Sequence, residues 1–270
     1  MNSEQHAPKY PDIWRRFSPR EALTRWAWYL GIVSVTVWAL GTLDIPWLYF
    51  LDAHLQAKDL AVRMWPPDWR YLGRLIAPLI ETIHIATLGT AVTFFIAFPA
   101  AFLAARNTTL NSTTWLIGRF ILVASRSINT IVWALLFVAI FGPGPLAGIW
   151  AIAFRSIGFM GKLVAEAIEE IDEGAVEAVE ATGASRLQVL WIGILPQVLP
   201  VIYGTVVYRW DINIRESTVL GFVGAGGIGI LLYSSINQFM WQEVTVILIT
   251  VFGVVLASEF ISAKVRQRIT

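Results

Sequence analysis

Carboxylates are concentrated in one short part of this sequence. Seven of the 19 Asp and Glu residues lie within positions 166–180. Such a density of charge is too costly for an apolar environment, so it predicts a solvated loop or short helices. Because these carboxylates recur at steps of three and four residues, they would form an exposed stripe on a helix, to which a soluble partner could bind. The seven are Glu166, Glu169, Glu170, Asp172, Glu173, Glu177 and Glu180.

Local signals indicate how this acidic segment folds. Ala175, Ala178 and Val179 form a small apolar side opposite the stripe. We expect Gly174 to divide the segment into two short helices and Gly183 to end the second. Ser185 and Gln188 have capping-box spacing, which predicts that a new helix starts there.

Four arginines could bind an anion within or beside the apolar runs of the chain. A guanidinium binds oxyanions through two parallel hydrogen bonds, and a charge at membrane depth costs at least about 2.5 kcal/mol, so it usually faces a cavity or a partner. Alternatively Arg126 reaches the membrane surface, Arg215 pairs with Glu216, and Arg209 pairs with Asp211 or the outer headgroups. Hydroxyl and amide neighbours could bind a solute or bridge helices. The candidates are Arg126, Ser127, Asn129, Arg155, Arg209, Arg215, Glu216, Ser217 and Thr218.

Patterns for catalysis or nucleotide binding are weak. The chain has no Cys, and its three histidines, His6, His54 and His84, are scattered. Gly224, Gly226 and Gly229 match G-x-G-x-x-G, but no βαβ unit surrounds them. Gly161 and Lys162 lack the remaining residues of a phosphate-binding loop, so we expect any ATP to bind another subunit.

Composition places most of the chain in lipid. Hydrophobic residues make up 56% of the 270 residues, charged residues 14%, and mean hydropathy is +0.63. Soluble domains carry about 25% charge. The sequence therefore predicts a polytopic membrane protein with one membrane domain. A net charge of +1 gives no sign of nucleic-acid binding.

Six apolar runs are long enough to be membrane spans. A turn at Gly142-Pro143-Gly144-Pro145 separates the third from the fourth. Pro196 and Pro200 predict a kink in the fifth. No run carries an acid at its centre. The runs are 26–43, 79–105, 115–141, 146–164, 187–210 and 244–263.

The remaining segments fit a cytoplasmic N-terminus. Residues 1–25 are basic and are expected to be a cytoplasmic tail, and 26–75 to hold the first span and an outer interfacial segment with Trp47, Trp65 and Trp69. Counting crossings then places the acidic segment and the C-terminus in the cytoplasm. The run 219–232 is too short to cross alone and is expected to be a glycine-rich half-helix. Its glycines Gly224, Gly226, Gly227 and Gly229 are candidates for tight packing or a central gate, together with Pro196 and Pro200.

One motif resembles a known family. Glu177-Ala178-Val179, then Gly183 and Leu195-Pro196, is similar to the E-A-A-x3-G-x9-I-x-L-P signature of the permease subunits of bacterial ABC importers. Val179 replaces the third alanine and Gly193 the usual isoleucine. The resemblance implies a coupling helix that inserts into a groove of an ATPase. Its residues would be Glu177, Ala178, Glu180, Ala181 and Gly183.

A second set of motifs, spread over roughly 60–270, resembles the phosphonate and phosphite permease branch. It includes Pro66-Pro67-Asp68, Ala104-Ala105-Arg106-Asn107-Thr108, Arg126-Ser127-Ile128-Asn129 and Leu195-Pro196-Gln197-Val198-Leu199-Pro200. The resemblance implies an all-α integral membrane protein of the type I ABC importer permease fold, with its core in 76–270. It also implies an inner-membrane homodimer that works with an ABC ATPase dimer carrying ATP and Mg²⁺ and with an extracytoplasmic substrate-binding protein.

Other classes are weighed against this one. An ion-coupled secondary transporter would need a mid-membrane carboxylate and often shows inverted repeats, neither of which is evident. An intramembrane enzyme would need convergent catalytic groups. A methionine or quaternary-amine permease is the near alternative, disfavoured because arginines at depth would repel cations.

Overall fold

The computed structural model of the protein describes residues 19–43 and 46–269, and the basic tail expected at 1–25 lies mostly outside them. Contacts divide the chain into two compact units, Met1–Asp59 and Leu60–Thr270. Helices dominate the described residues of each unit. In chain order they are α1 Pro19–Thr42, α2 Trp47–Met64, α3 Leu72–Ala104, α4 Ser112–Ser127, α5 Thr130–Phe141, α6 Pro145–Glu169, α7 Glu173–Glu180, α8 Arg186–Gln188, α9 Leu195–Leu220, α10 Ile228–Asn237 and α11 Trp241–Ile269.

Among the described residues, four helical stretches are long and apolar enough to cross a membrane: Trp69–Ala104, Pro145–Glu169, Arg186–Val223 and Trp241–Arg268. Counting the bent pair α4 and α5 as one span gives a fifth. The first expected span forms a helix, α1, but is not among these five, so the structure supports four or five apolar spans where the sequence predicts about six.

The third expected span is not continuous, contrary to the prediction. α4 and α5 meet at an angle of 93°. The break has a local cause, because the Asn129 side chain accepts a hydrogen bond from the Ile131 N–H at 3.1 Å and so caps a new helix. Ile128 and Asn129 are extended between the two helices.

The fifth expected span also differs in its length. α9 runs on to Leu220, ten residues beyond the predicted end at Trp210. A π-helical stretch, Val189–Ile194, precedes it, and there the Leu195 N–H bonds back to the Leu190 carbonyl. The next residue, Pro196, has no N–H to donate, which favours this wider turn just before it. Pro200 lies inside α9.

Helix α6 lies at the centre of the second unit. In its most apolar window 61% of the residues are buried, against 22% in α11. Small residues allow its neighbours to come close, since a Cβ added at Gly158 would overlap the Leu122 carbonyl of α4, and one at Gly89 of α3 would lie 2.7 Å from Ile152 Cγ2. Helices α3, α4, α5 and α9 all pack on α6.

Candidate functional site

The acidic segment forms the last turn of α6 and, after a break, the short helix α7, whose carboxylates are exposed. Glu177, Ala178, Glu180, Ala181 and Gly183 are all exposed. Its inner side faces Gly193, where an added Cβ would lie 3.5 Å from Val176 Cα and 3.8 Å from Val179 Cγ2. Gly183 adopts a φ of +80° and its N–H bonds to the Glu180 carbonyl at 2.9 Å, as expected of a residue that ends a helix.

The prediction that Gly174 divides the acidic segment is wrong. The break lies at 170–172, and Gly174 is the second residue of α7. Asp172 accounts for this, because its side chain accepts a hydrogen bond from the Gly174 N–H at 3.0 Å and caps the helix. At the next break, the Ser185 N–H donates to Gln188 Oε1 at 2.8 Å, which confirms the capping-box interaction expected there.

Gln197 ties α7 to α9. Its Oε1 accepts from the Asp172 N–H at 2.9 Å, and its Nε2 donates to the Gly193 carbonyl at 2.7 Å. One amide thus joins the start of α7, the π-helical stretch and the first turn of α9. A displacement of α7 therefore acts on α9 through a direct hydrogen bond as well as through packing.

A second contact holds the end of α6 against the loop between α3 and α4. Glu169 Oε1 accepts from the Arg106 N–H at 2.9 Å and lies 3.4 Å from Arg119 Nη2. Asn107 Nδ2 donates to the Ile168 carbonyl at 2.5 Å. The two connecting segments therefore lie on the same side of the helix bundle.

A buried polar network lies at the middle of the bundle. Arg209 is 3% exposed; its Nη2 donates to Glu216 Oε1 at 3.2 Å and its Nε to Ser156 Oγ at 2.8 Å. Ser156 Oγ in turn contacts Asn213 Oδ1 at 3.0 Å. Ser156 is one residue from the midpoint of the 25-residue α6. The members are Thr90, Thr130, Ser156, Arg209, Asn213 and Glu216.

The network joins four helices. Asn213 Nδ2 donates to Thr90 Oγ1 on α3 at 2.8 Å, and Thr130 Oγ1 at the start of α5 donates to Glu216 Oε2 at 2.6 Å. Each group in it has a partner, as buried polar groups require. Thr130 is the first residue after the bend between α4 and α5, so the network reaches the break in that span.

The ion pairs considered from the sequence are wrong. Arg209 pairs with Glu216, not with Asp211 or the headgroups, and Arg215 lies 3.5 Å from Asp211 Oδ2. Asp211 also accepts from Ser258 Oγ of α11 at 2.6 Å. The cause is helix geometry, because α9 continues past Trp210 and residues four or seven apart share one of its faces. Asp211 and Glu216 consequently lie within α9, beyond the predicted end of the fifth run at Trp210.

Arg155 lies beside this network without joining it. It is half-buried on α6, next to Ser156, the residue whose hydroxyl accepts from Arg209 Nε. Within 19–43 and 46–269 no ion pair or hydrogen bond of its side chain is found. The cluster of Arg155, Arg209 and Glu216 thus carries one positive charge in excess.

Arg126 lies on α4, against the turn of α6 that follows Arg155. A Cβ added at Gly158, one turn beyond Arg155, would be 2.9 Å from Arg126 Cβ. The Arg126 side chain is exposed and lines a cavity of about 120 Å³ with Arg119, Lys162, Glu166 and Glu169. Arg155 and Lys162 of α6 and Arg126 of α4 therefore lie along one seam between these two helices, where Glu166 pairs with Lys162.

The other candidates for solute contact form hydrogen bonds with nearby backbone groups. Ser127 Oγ donates to the Ala124 carbonyl at 2.8 Å, and Asn129 caps α5. Ser217 is fully buried and bridges to the Thr82 carbonyl at 3.1 Å. Thr218 Oγ1 donates to the Arg215 carbonyl at 2.8 Å.

The glycine-rich segment forms a tight turn rather than one half-helix over 219–232. A short 3₁₀ turn, Gly221–Val223, leads to Gly224, Gly226 and Gly227, all with φ near +80°, and the ten-residue α10 follows. Glu81 Oε1 accepts from the Gly227 N–H at 3.1 Å. Gly229 packs on Gly221, and an added Cβ there would lie 2.5 Å from the Thr218 carbonyl. The left-handed glycines explain why no continuous helix forms.

Ser156, Asn213, Thr90 and Thr130 were not singled out from the sequence. A signal existed on α9, where positions 209, 213 and 216 share a helical face. It goes unnoticed when the span is taken to stop at Trp210. Among the described residues, no group of three His, Asp or Glu side chains could hold a metal ion.

A bundle of apolar helices with a charged network inside and an exposed acidic helix at one end defines a membrane-embedded subunit. The chain belongs to the family described as binding-protein-dependent transport system inner membrane component, whose model matches residues 97–270. It is therefore a multi-pass inner-membrane transport subunit.

Individual relatives support this assignment. The phosphite transport system permease protein PtxC of Stutzerimonas stutzeri is 39% identical over 88% of this chain and 86% of its own length. The phosphate-import permease protein PhnE of Mycolicibacterium smegmatis is 39% identical over 93% of this chain and 47% of its own length. A methionine ABC transporter in an inward-facing conformation has a TM-score of 0.65 at 22% identity, covering 75% of this chain and 99% of that chain, which shows the fold.

Proposed function

We propose that this chain is the transmembrane subunit of an ATP-driven importer of phosphite, phosphonate or a related phosphorus oxyanion. One observation carries the proposal: a phosphite permease and a phosphate-import permease are each 39% identical to most of this chain. The positive excess within the bundle agrees with an anionic solute, because a guanidinium at such depth attracts one.

The proposed complex contains two copies of this chain, two copies of an ABC ATPase that bind ATP and Mg²⁺, and an extracytoplasmic binding protein that delivers the solute. The exposed face of α7 is its docking surface for the ATPase. The tether through Gln197 supports this role, since movement of α7 would act directly on α9.

The proposed mechanism is alternating access, with both termini and α7 in the cytoplasm. ATP binding closes the ATPases, which move α7, and α9 carries the motion to the glycine turn and the middle of the bundle. The core is residues 76–270. The proposed solute path runs beside these polar side chains: Arg126, Ser127, Asn129, Arg155, Arg215 and Glu216. Ser217, the remaining candidate, is fully buried against Thr82 and is not part of the path.

Uptake by reconstituted vesicles tests the proposal. The complex with its ATPase, supplied with the binding protein and ATP, should take up phosphite or methylphosphonate and leave L-methionine outside. Vesicles without ATP are the control. Uptake of methionine alone would favour the alternative permease class, and uptake by the chain without any ATPase would contradict the proposal altogether.

A further inference from the structure

The charge balance at the middle of the bundle is incomplete. Arg155 directly precedes Ser156, whose hydroxyl accepts a hydrogen bond from Arg209, and within the described chain one carboxylate, Glu216, pairs with these two arginines, through Arg209. A buried charge without a counter-ion is costly. A partly exposed cation on the central helix, such as Arg155, is therefore expected to face a cavity or a partner and not lipid. The open side of Arg155 therefore favours a negatively charged occupant.

We propose that Arg155, Arg209 and Glu216 form an oxyanion site in which the transported anion binds Arg155 and competes with Glu216 for Arg209. The inference rests on the proposed function and names the site at which the solute pauses. Its ligand class is a small tetrahedral oxyanion of a phosphorus acid.

The geometry around Arg209 would allow its guanidinium to exchange the Glu216 carboxylate for an oxygen of the anion. The contact between Arg209 and Glu216 uses one guanidinium nitrogen at 3.2 Å, and a second nitrogen is already held by Ser156. Ser156 and Asn213 thus fix the guanidinium in place while its partner changes. Glu216 is the more accessible member of the pair, with its side chain 25% exposed against 4% for Arg209.

Glu216 also keeps the site weak. Because the solute must displace a carboxylate that already pairs with Arg209, the net free energy of solute binding is small. Transport requires such weak binding, since the solute must leave the site again. Displacement of Glu216 from Arg209 would also alter its contact with Thr130, the residue after the bend between α4 and α5. The solute would thereby act on the bent span.

A titration measures the site directly. The purified complex of this chain with its ATPase, without the binding protein, is titrated with phosphite and separately with L-methionine. Wild type should bind phosphite weakly. Arg155→Gln should weaken that binding about tenfold or more, the effect of losing a charge-assisted hydrogen bond. Glu216→Gln should strengthen it several-fold, and Arg155→Gln with Glu216→Gln should lie between the two.

Arg74→Gln is the matched control, because Arg74 is exposed in the first turn of α3; its phosphite affinity should equal that of wild type. Unchanged affinity in Arg155→Gln, or no phosphite binding by wild type, overturns the proposal. If Glu216→Gln fails to assemble, Arg155→Gln alone decides, since the Arg155 side chain has no structural partner among the described residues.

Uptake by vesicles distinguishes failure of this site from failure of the proposed function. Normal phosphite uptake by Arg155→Gln would contradict the proposed site but not the proposed function. Methionine uptake by wild type would contradict the proposed function.

Discussion

Arg209 and Glu216 show how a charged pair is kept inside an apolar bundle. Arg209 is 3% exposed, and its guanidinium has a carboxylate, a hydroxyl and the ring of Phe159 as partners, the last at 5.5 Å. Breaking a buried pair from one side leaves an uncompensated charge, which costs far more than the loss of a surface pair.

Arg209→Met should therefore destabilise the chain by about 3–5 kcal/mol, because Glu216 loses its counter-ion while Met retains much of the volume. Thermal unfolding of the purified chain in detergent, followed by Trp fluorescence, measures this. Lys162→Met is the control: Lys162 and Glu166 are both about half-exposed at 3.2 Å, so the cost should be about 0.5 kcal/mol. Equal losses in the two variants would contradict the buried-pair interpretation.

Glu177→Ala tests the docking surface. The Glu177 side chain is exposed on α7, so the stability of the isolated chain should not change. If α7 docks on the ATPase, the amount of ATPase that co-purifies should fall about tenfold, as for a residue at the centre of an interface. Glu170→Ala, which changes an exposed carboxylate just before α7, should leave co-purification unchanged. A loss of ATPase in both variants alike would argue for general electrostatics instead.

At the residue scale, the sequence predicts which side chains are unusual better than it predicts their partners. Arginines in apolar runs are conspicuous because a charge there is costly. Their partners depend on which helix face each occupies, and that in turn depends on helix ends that hydropathy does not reveal. The pairing of Arg209 with Glu216 required α9 to pass Trp210.

The elements of this fold differ in how strongly the sequence determines them. The predicted run 146–164 lies within α6, which begins one residue earlier, after a Gly-Pro turn, and ends five residues later, among carboxylates. The break between α4 and α5 depends on one capping side chain in an apolar stretch, which hydropathy does not reveal. The segment 219–232 was expected to be a half-helix, but its left-handed glycines pack against Glu81 and Thr82 of α3 and against Pro143, which are distant in the sequence.

Gly229→Ala tests this close packing of α10 on α9. An added methyl would lie 2.5 Å from the Thr218 carbonyl and 2.9 Å from Gly221 Cα, so we expect a loss of about 1–3 kcal/mol in the free energy of unfolding. Gly73→Ala is matched, because each glycine is the second residue of its helix and nothing lies within 4 Å of the Gly73 position. That variant should be neutral or slightly stabilising.

For the whole molecule, the sidedness of the connecting segments decides the mechanism. The contact between Arg106 and Glu169 puts the loop before α4 on the same side of the bundle as the start of the acidic segment. The turn at Met240 joins α10 to α11, at the end of α11 away from its basic last turn. An importer driven from the cytoplasm needs the first group inside and the second outside.

Single cysteines can report this sidedness, because the natural chain has no Cys. Ser112→Cys, at the exposed start of α4, should react with a membrane-impermeant maleimide only after the cells are opened. Met240→Cys, also exposed, should react in intact cells. The reverse pattern would place α7 outside and contradict docking on an ATPase. Unmodified chain supplies the background signal.

The charges of α9 bear on how the chain first enters the membrane. Arg209, Asp211, Arg215 and Glu216 sum to zero, and their two ion pairs join residues of the same helix, seven and four positions apart. Each of these charges therefore has its counter-ion on α9 itself when the helix enters the translocation machinery. No other helix is needed to neutralise it. We therefore expect biosynthetic insertion of α9 not to depend on the order in which the bundle assembles.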